Sequence, residues 1–330
     1  MLDKRKTNSF FSSELARKRL ERFYSEGDCY PLDIVIHPTT RCNHSCNSCY
    51  HQLNFKGEKH YDFDTSRFLK LLGELKDADV KSLIISGGGE PLKHRDSDII
   101  IEASSHFPFS AIYTNLDFSL ENSLIHSLAG LNVVNVNVSS TDPAVYKSIR
   151  GQNADINRVQ TNLKVLANLQ PNINGIITVR RDLIPSLEKT IDDLLNCGVS
   201  RIVVSPAFDL NYKDGISPDG CITDLERIKS KILDNRIRIL EPEEKTVASQ
   251  NGKLVCNTHF FDITIGANEE IYPCCNVSYL SQYKIVNLRN YHSFREAWKS
   301  KERKKWIVEK EIGCRTCWFT PANRVIGEKK

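Results

Sequence analysis

Short runs of apolar, often β-branched residues alternate along positions 33–205 with longer segments whose apolar residues recur every three or four positions. The short runs are typical of buried strands, and the longer spacing is typical of amphipathic helices. Six strands alternating with helices predict a parallel α/β sheet with right-handed crossover connections. The predicted strands are Asp33–His37, Lys81–Ser86, Ser110–Thr114, Val133–Ser139, Asn174–Val179 and Arg201–Ser205, and the predicted helices are Thr65–Lys76, Ser119–Leu128, Asp155–Leu169, Leu183–Leu195 and Asp224–Leu233.

The pattern changes on both sides of this α/β segment. Residues 1–30 predict a helix that ends at Gly27 and packs outside the main domain. After about Leu240, the runs Phe260–Ile265 and Glu270–Pro273 flank polar turn residues and predict a β-hairpin, followed by a basic amphipathic helix. The sequence therefore predicts three parts: an N-terminal helix over 1–30, a main domain over 31–240 and a small domain over 241–330.

Composition and charge restrict the class of protein. Of the 330 residues, 40% are hydrophobic and 26% charged, which is ordinary for a soluble globular protein. The N-terminal residues lack the apolar region of a signal peptide, and no apolar run approaches the roughly 18 residues that cross a bilayer. We therefore expect a cytoplasmic protein without a membrane partner.

The net charge is unevenly distributed. A total of +4 is too small to indicate a nucleic-acid partner, but residues 284–330 contain 13 Lys/Arg against 5 Asp/Glu. This excess indicates either a solvated helix face or attraction of an acidic substrate.

Eleven cysteines are many for the reducing cytoplasm, where disulfides are rare. Grouped cysteines in that compartment indicate metal or cluster ligation. Seven of them fall into two groups, which are Cys42, Cys46 and Cys49, and then Cys256, Cys274, Cys314 and Cys317.

The first group directly follows the first predicted strand. A [4Fe–4S] cluster normally has four Cys ligands, so three local ones leave one iron open to an exogenous ligand. From spacing alone, a zinc site that adds His37, His44 or His51 is the alternative.

Two further polar patterns lie at strand ends. In the segment 86–91, SGGGEP, the glycines let a ligand approach the backbone, and Glu90 can accept hydrogen bonds from an ammonium group. A phosphate loop is the alternative, but Glu90 would repel an anion and no Gly-Lys-Ser/Thr follows. In the fourth strand, Asn135, Asn137 and Ser139 share one face, which predicts a polar binding cavity on the inward face of the sheet.

Taken in order, the cysteine triplet, the GGEP segment, the third-strand end Tyr113-Thr114-Asn115 and the fourth strand resemble the radical S-adenosylmethionine (radical SAM) superfamily. The resemblance implies a partial (β/α)6 TIM-like barrel with its chemistry at the C-terminal ends of the strands. It implies that the triplet binds a [4Fe–4S] cluster whose free iron is chelated by S-adenosylmethionine. The residues that it implies for cofactor binding are Gly88, Gly89, Glu90, Asn115, Asn137, Ser139 and Arg150. The chain departs from the family pattern at Leu116, where the family has glycine, and at Ser48, where it often has an aromatic residue.

The second cysteine group, with the hairpin between its first two members, resembles the Twitch form of the SPASM auxiliary-cluster domain. The resemblance implies a second [4Fe–4S] cluster on Cys256, Cys274, Cys314 and Cys317, although Glu269 stands where the family has glycine. A structural zinc is the alternative.

Two remaining cysteines are candidate catalytic residues. Cys275 follows a predicted ligand, where related sulfatase-maturing enzymes carry a catalytic base, and Cys221 lies in a Pro- and Gly-containing segment. A thiol with a pKa of about 8.5 suits a base poorly, but it can donate a hydrogen atom to a carbon radical, as a radical epimerase requires. Alternatively, Cys275 is merely packed or replaces Cys274 as a ligand.

The activity that the resemblance implies is hydrogen abstraction by a 5′-deoxyadenosyl radical. We expect a small polar substrate, a sugar or aminocyclitol, that is dehydrogenated or epimerised, and an external one-electron reductant of the flavodoxin or ferredoxin type. One alternative is the modification of a ribosomal peptide by epimerisation, oxidation or crosslinking. Another is a non-catalytic iron–sulfur or zinc protein.

Overall fold

A ten-stranded sheet organises the part of the chain that the computed structural model describes, namely residues 14–47, 49, 51, 60–206, 225, 227, 228, 234–239, 256–309, 323 and 326. The strand order is β10-β9-β8-β1-β2-β3-β4-β5-β6-β7, and β8 and β1–β7 form a parallel series to which β9 and β10 add antiparallel. The strands are β1 (Asp33–Ile36), β2 (Ser82–Ile85), β3 (Phe109–Thr114), β4 (Val133–Asn137), β5 (Ile173–Val179), β6 (Arg201–Pro206), β7 (Ile237–Ile239), β8 (Asp262–Ile265), β9 (Glu270–Tyr272) and β10 (Val286–Asn287).

All six predicted strands are present. The helices are α1 (Glu14–Glu26), α2 (Thr65–Asp77), α3 (Ser97–Ser105), α4 (Asn122–Ala129), α5 (Pro143–Arg150), α6 (Ile156–Leu166), α7 (Leu187–Asn196), α8 (Phe294–Trp298) and α9 (Lys301–Glu309). Helices α3 and α5 were missed because nine and eight residues are too short for a clear apolar period. The helix predicted over Asp224–Leu233 is described only at 225, 227 and 228, which are helical.

The predicted basic helix is in fact two helices, α8 and α9. A break lies between Trp298 and Lys301, where the Ser300 hydroxyl accepts a hydrogen bond from Arg303 N over 3.1 Å and so caps the first turn of α9. Residues 299–305 are all polar or charged, so no apolar spacing across this stretch defines where one helix ends and the next begins.

The two faces of the sheet differ, since one is apolar and the other mixes polar and apolar residues. Residues such as Ile36, Ile85 and Ile112 are fully buried beneath the helices. On the opposite face the register places Asn135 between Tyr113 and Asn174. Asn135 is buried and accepts a hydrogen bond from Asn174 Nδ2 over 2.9 Å. The predicted inward polar face of β4 is therefore present, and part of it is paired within the protein.

Helix α1 and the predicted hairpin lie next to one another. Helix α1 buries Phe23 against Phe260 and Phe261 and ends at Gly27, which adopts a φ of 72°. The hairpin of β8 and β9 continues the main sheet, since β8 pairs in parallel with β1. The domain boundary predicted after residue 240 lies outside the described residues and stays a prediction. No helix in the described parts of the chain is both long and apolar enough to cross a membrane.

Candidate active site

The cysteine loop that follows β1 is fastened to the C-terminal end of α5. Ser45 N donates to Arg150 O over 2.9 Å, and Asn47 N donates to Ile149 O over 3.0 Å. Gly151 adopts a φ of 100°, and a Cβ there would lie 2.2 Å from Ser45 Oγ. This close approach requires glycine, so α5 fixes the loop that carries the three thiols.

A buried carboxylate fixes the same loop from another side. Asp117 Oδ2 accepts a hydrogen bond from His44 Nε2 over 2.8 Å, and Oδ1 accepts one from Arg158 Nε over 2.7 Å. Asn43 Nδ2 also donates to the Asp117 carbonyl over 2.9 Å. The sequence analysis did not single out Asp117, although its position two residues after Asn115, at a strand end, is a signal that was available.

The three thiols of the loop lie near one another and near Glu90. Cys42 is exposed, yet the surrounding protein atoms desolvate its thiol and, together with Glu90, Cys46 and Cys49, raise its pKa to about 12, despite a hydrogen bond from His44 N over 3.4 Å. A cationic iron cluster would reverse this effect, because metal ions bind thiols as thiolates. The donor set therefore fits a cluster. Among the described residues, no three Cys, His, Asp or Glu side chains are grouped so as to hold a single metal ion.

The glycine segment after β2 is tightly enclosed by protein. A Cβ on Gly89 would lie 2.1 Å from Arg41 O, and Glu90 N donates to that same carbonyl over 2.8 Å. A Cβ on Gly88 would lie 2.5 Å from the Tyr279 ring. The glycines predicted for close ligand approach are therefore also required by neighbouring protein atoms.

Glu90 is buried, with 3% of its surface exposed, and receives three hydrogen bonds. Oε1 accepts from Thr114 Oγ1 over 2.6 Å and from Leu92 N over 3.1 Å, and Oε2 accepts from Asn115 N over 2.7 Å. Burial raises the pKa of Glu90 to about 7, and these hydrogen bonds limit the rise. Asn115 Nδ2 donates to Asn43 Oδ1 over 2.9 Å, which links the site of Glu90 to the cysteine loop.

Arg150 joins the fourth strand to the thiols. Its Nε donates to Ser139 Oγ over 2.8 Å, and its Nη1 lies 3.7 Å from Cys46 Sγ. Burial opposes the guanidinium charge, but Cys46 and Tyr146 outweigh it and raise the pKa of Arg150. Asn137, at the end of β4, is half-buried. The structure thus brings together the three thiols, Glu90, Asn115, Ser139 and Arg150.

Comparisons with known proteins agree with this arrangement. The model of the radical SAM superfamily matches residues 36–195, which include the cysteine loop and every residue of the arrangement above. Residues 36–195 are a radical SAM domain. The resemblance seen in the sequence is thus confirmed, and the chain is an enzyme. A search of curated proteins found no match to the sequence.

Solved radical SAM structures confirm the predicted fold class. SuiB from Streptococcus suis bound to precursor peptide SuiA is similar with a TM-score of 0.68 and 17% identity, covering 90% of this chain and 71% of that one. SuiB bound to S-adenosylmethionine has a TM-score of 0.64 and 18% identity, and the match covers 88% of this chain and 71% of that one. The structure of anSMEcpe with bound AdoMet and Cp18Cys peptide has a TM-score of 0.61 and 14% identity, and the match covers 88% of this chain and 87% of that one.

The second cysteine group of this radical SAM chain is described only in part. Cys256 Sγ lies 3.4 Å from Thr258 Oγ1, and Cys274 ends the hairpin in an extended conformation. Cys314, Cys317 and the candidate Cys221 lie outside the described residues, so the four-cysteine site remains a prediction.

Cys275 lies beside the inward face of β3. Burial raises the pKa of Tyr113, and the neighbouring Cys275 thiol adds to the rise. Tyr113 in turn stands next to Asn135 on the polar face of the sheet. The electrostatic influence of Cys275 therefore reaches the strand neighbour of Asn135, which is one of the three β4 residues predicted to face inward.

Two departures from the family pattern preserve its backbone geometry. Leu116 stands where the radical SAM pattern has glycine, and Glu269 where the predicted SPASM-type pattern has it. They adopt φ values of 53° and 63°, in the left-handed region. The Glu269 carboxylate accepts hydrogen bonds from Arg67 Nε and Arg289 Nε, each over 2.7 Å. Side-chain interactions thus offset a conformation that glycine would adopt without strain.

Proposed function

We propose that this radical SAM enzyme dehydrogenates or epimerises a small polar substrate, a sugar or aminocyclitol, bound inside the barrel. The observation that supports this best is the row formed by Tyr113, Asn135 and Asn174, which occupy paired positions on β3, β4 and β5. The Cys275 thiol acts electrostatically on Tyr113 in this row. Barrel interiors are usually filled by branched apolar side chains. A polar row next to a thiol suits a substrate rich in hydroxyl or amino groups.

The residues around the cysteine loop would hold the cofactors. Cys42, Cys46 and Cys49 would bind the [4Fe–4S] cluster, and Glu90 has the charge to accept hydrogen bonds from the ammonium group of S-adenosylmethionine. Cluster and S-adenosylmethionine together supply the one-electron chemistry that removes hydrogen from the substrate.

The remaining cofactor contacts come from Gly88, Gly89, Asn115, Asn137, Ser139 and Arg150. The Arg150 guanidinium is the cation suited to the cofactor carboxylate, and the Ser139 hydroxyl keeps it oriented through the 2.8 Å hydrogen bond from Nε. In this assignment the protein contributes binding, orientation and exclusion of competing groups.

For epimerisation, Cys275 is the proposed hydrogen-atom donor, with Cys221 as the second candidate. The S–H bond breaks as the new substrate C–H bond forms, so the unpaired electron passes to sulfur. One electron and one proton then restore the thiol, and the electron comes from an external flavodoxin- or ferredoxin-type reductant. In dehydrogenation no hydrogen donor is needed. The substrate radical would instead release a proton to solvent and an electron, and a second cluster on Cys256, Cys274, Cys314 and Cys317 would accept the electron.

The second candidate function is the modification of a ribosomal peptide. It is favoured by the basic surface of α8 and α9, where Lys301, Lys304 and Lys305 are exposed. SuiB and anSMEcpe were solved with peptides bound. Binding of nucleotide sugars and of acidic peptides to the reconstituted protein distinguishes the two substrate classes.

The deciding experiment measures 5′-deoxyadenosine after anaerobic reconstitution and dithionite reduction. The wild-type protein should produce it, Cys46→Ala should not, and Cys197→Ala should match the wild type. Cys197 is a fair control because it is a buried cysteine at the end of α7, distant in sequence from both cysteine groups. If the wild-type protein yields none, the non-catalytic alternative replaces this proposal.

A further inference from the structure

An aromatic ring from the C-terminal part of the chain lies directly against the glycine segment of the barrel. A Cβ added to Gly88 would lie 2.5 Å from Tyr279 Cε2 and 2.6 Å from Tyr279 Oη. Real Cβ atoms do not approach other heavy atoms this closely, so the space beside Gly88 is already filled by the ring. Gly88 is therefore a glycine because of Tyr279, whatever else binds there.

Several contacts keep the Tyr279 ring in this place. The ring stacks on His37, with centroids 5.7 Å apart and planes 26° apart. Ala267 N donates to Tyr279 Oη over 3.1 Å, and Oη lies 3.2 Å from His37 Nδ1. Burial lowers the pKa of His37, so its ring is neutral and forms one hydrogen bond with Oη through Nδ1.

The backbone of Tyr279 adopts a conformation that is unusual for a residue other than glycine. Its φ of 66° lies in the left-handed region, which is unfavourable for such a residue. The ring also lies close to the hairpin turn, since a Cβ on Gly266 would lie 3.2 Å from Tyr279 Cε1. The unfavourable backbone conformation is offset by contacts on both sides of the ring.

Tyr279 connects two regions that the sequence analysis treated separately. It follows Cys274 and Cys275 by five and four residues, and it contacts the end of β1 through His37 and the segment after β2 through Gly88. Both contacted residues lie beside groups assigned to cofactor binding, because Gly88 precedes Glu90 by two residues and His37 leads into the cysteine loop.

We propose that Tyr279 is a positioning residue for the cofactor-binding glycine segment, so that the segment 274–279 helps to set the affinity for S-adenosylmethionine. The inference rests on the proposed function, since it assumes that Gly88 and Gly89 contact this cofactor. The ring limits where the Gly88 backbone can lie. Removing it gives that backbone an empty space to move into, away from the position that binds the cofactor.

A double-mutant cycle tests the proposal on the reconstituted holoenzyme, with S-adenosylmethionine as the probe. The readout is its dissociation constant, measured from the change that it causes in the electron paramagnetic resonance spectrum of the reduced cluster. Gly88→Ala and Tyr279→Ala should each weaken binding by about tenfold, and the double variant should bind no more weakly than Tyr279→Ala alone. Tyr279→Phe, which keeps the ring, should stay within about threefold of the wild type.

Two results would overturn the proposal. One is an unchanged affinity in Tyr279→Ala, which would show that the ring serves packing alone. The other is an equal loss from Gly88→Ala in both backgrounds, which would show that the glycine is needed only against the cofactor. Tyr283→Ala, which removes a half-buried tyrosine four residues away, should lower the melting temperature without changing affinity. A wild-type protein that fails to bind S-adenosylmethionine would instead contradict the proposed function.

Discussion

The Asp117 carboxylate accepts a hydrogen bond from His44 Nε2 over 2.8 Å, although the two residues are 73 positions apart. His44 lies between two of the cysteines assigned to the cluster, so this contact ties the end of β3 to the cysteine loop. It also defines the histidine tautomer, because only a protonated Nε2 can donate to the carboxylate.

Asp117→Asn should therefore loosen the cysteine loop. The amide loses the charge that pairs with the partly exposed Arg158, and each charge-assisted hydrogen bond to a carboxylate is worth about 1.5–3 kcal/mol of unfolding free energy. We expect the reconstituted variant to retain less iron after gel filtration, measured as iron and sulfide per chain. Asp193→Asn, which alters a carboxylate on α7 bonded to Thr141, is the control and should retain wild-type iron. Equal iron in both variants would contradict this role.

Glu269→Gly should destabilise the protein even though glycine suits the backbone there. The change relieves a positive φ worth roughly 1–2 kcal/mol. It also removes the hydrogen bonds that the half-exposed Arg67 and Arg289 donate to the Glu269 carboxylate, and a hydrogen bond to a charged group is worth about 1.5–3 kcal/mol. Asp79→Gly is the matched control, because Asp79 has a φ of 60° and an exposed carboxylate. It should be nearly neutral in thermal unfolding, and a stabilised Glu269→Gly would refute the argument.

Asp33 and Asp262 lie side by side on β1 and β8 and predict a pH-dependent stability. Burial raises the pKa of Asp33 to about 6, and burial with Asp33 nearby raises that of Asp262 well above its usual value. The folded state therefore keeps protons that the unfolded state releases, so stability falls as pH rises from about 4 through 6 and beyond.

Asp262→Asn removes one of these charges. We expect its melting temperature to exceed that of the wild type by roughly 3 °C or more at pH 8, and the difference to vanish near pH 4. Melting curves across this pH range provide the measurement. A difference that does not depend on pH would show that the carboxylate pair is not responsible.

Cys275→Ser removes the proposed hydrogen donor but keeps a side chain of similar shape. For an epimerisation run in D₂O, the wild-type product should carry deuterium at the inverted carbon, because the thiol exchanges with solvent. The serine variant should give 5′-deoxyadenosine without labelled epimer, since a hydroxyl does not readily donate a hydrogen atom. Wild-type labelling in Cys275→Ser would remove this residue from the mechanism and direct attention to Cys221.

Cys314→Ala separates the two predicted cluster sites. It should leave 5′-deoxyadenosine formation intact, because the three cysteines of the loop after β1 are unaltered. It should block product formation and lower iron from about eight to about four atoms per chain, the content of one [4Fe–4S] cluster. Full turnover by this variant would show that the second cysteine group has no part in the reaction.

The main features of the site were predictable because they are local in the chain. The triplet Cys42, Cys46 and Cys49 and the segment around Glu90 follow strands that their own apolar pattern identifies. The tertiary contacts of these residues with distant parts of the chain were not predictable. Arg150 lies close to Cys46, and Glu90 accepts a hydrogen bond from Thr114. Both contacts depend on which strand ends and helix ends meet in space.

The sequence by itself determined the order of strands, the polar inward face of β4 and the types of ligand, since periodicity and residue chemistry are properties of the chain. The tertiary structure alone decided that β8 pairs with β1, that Asp117 holds His44 and that Tyr279 fills the space beside Gly88. These contacts join residues tens to hundreds of positions apart, and only chain packing, not local preference, brings such residues together.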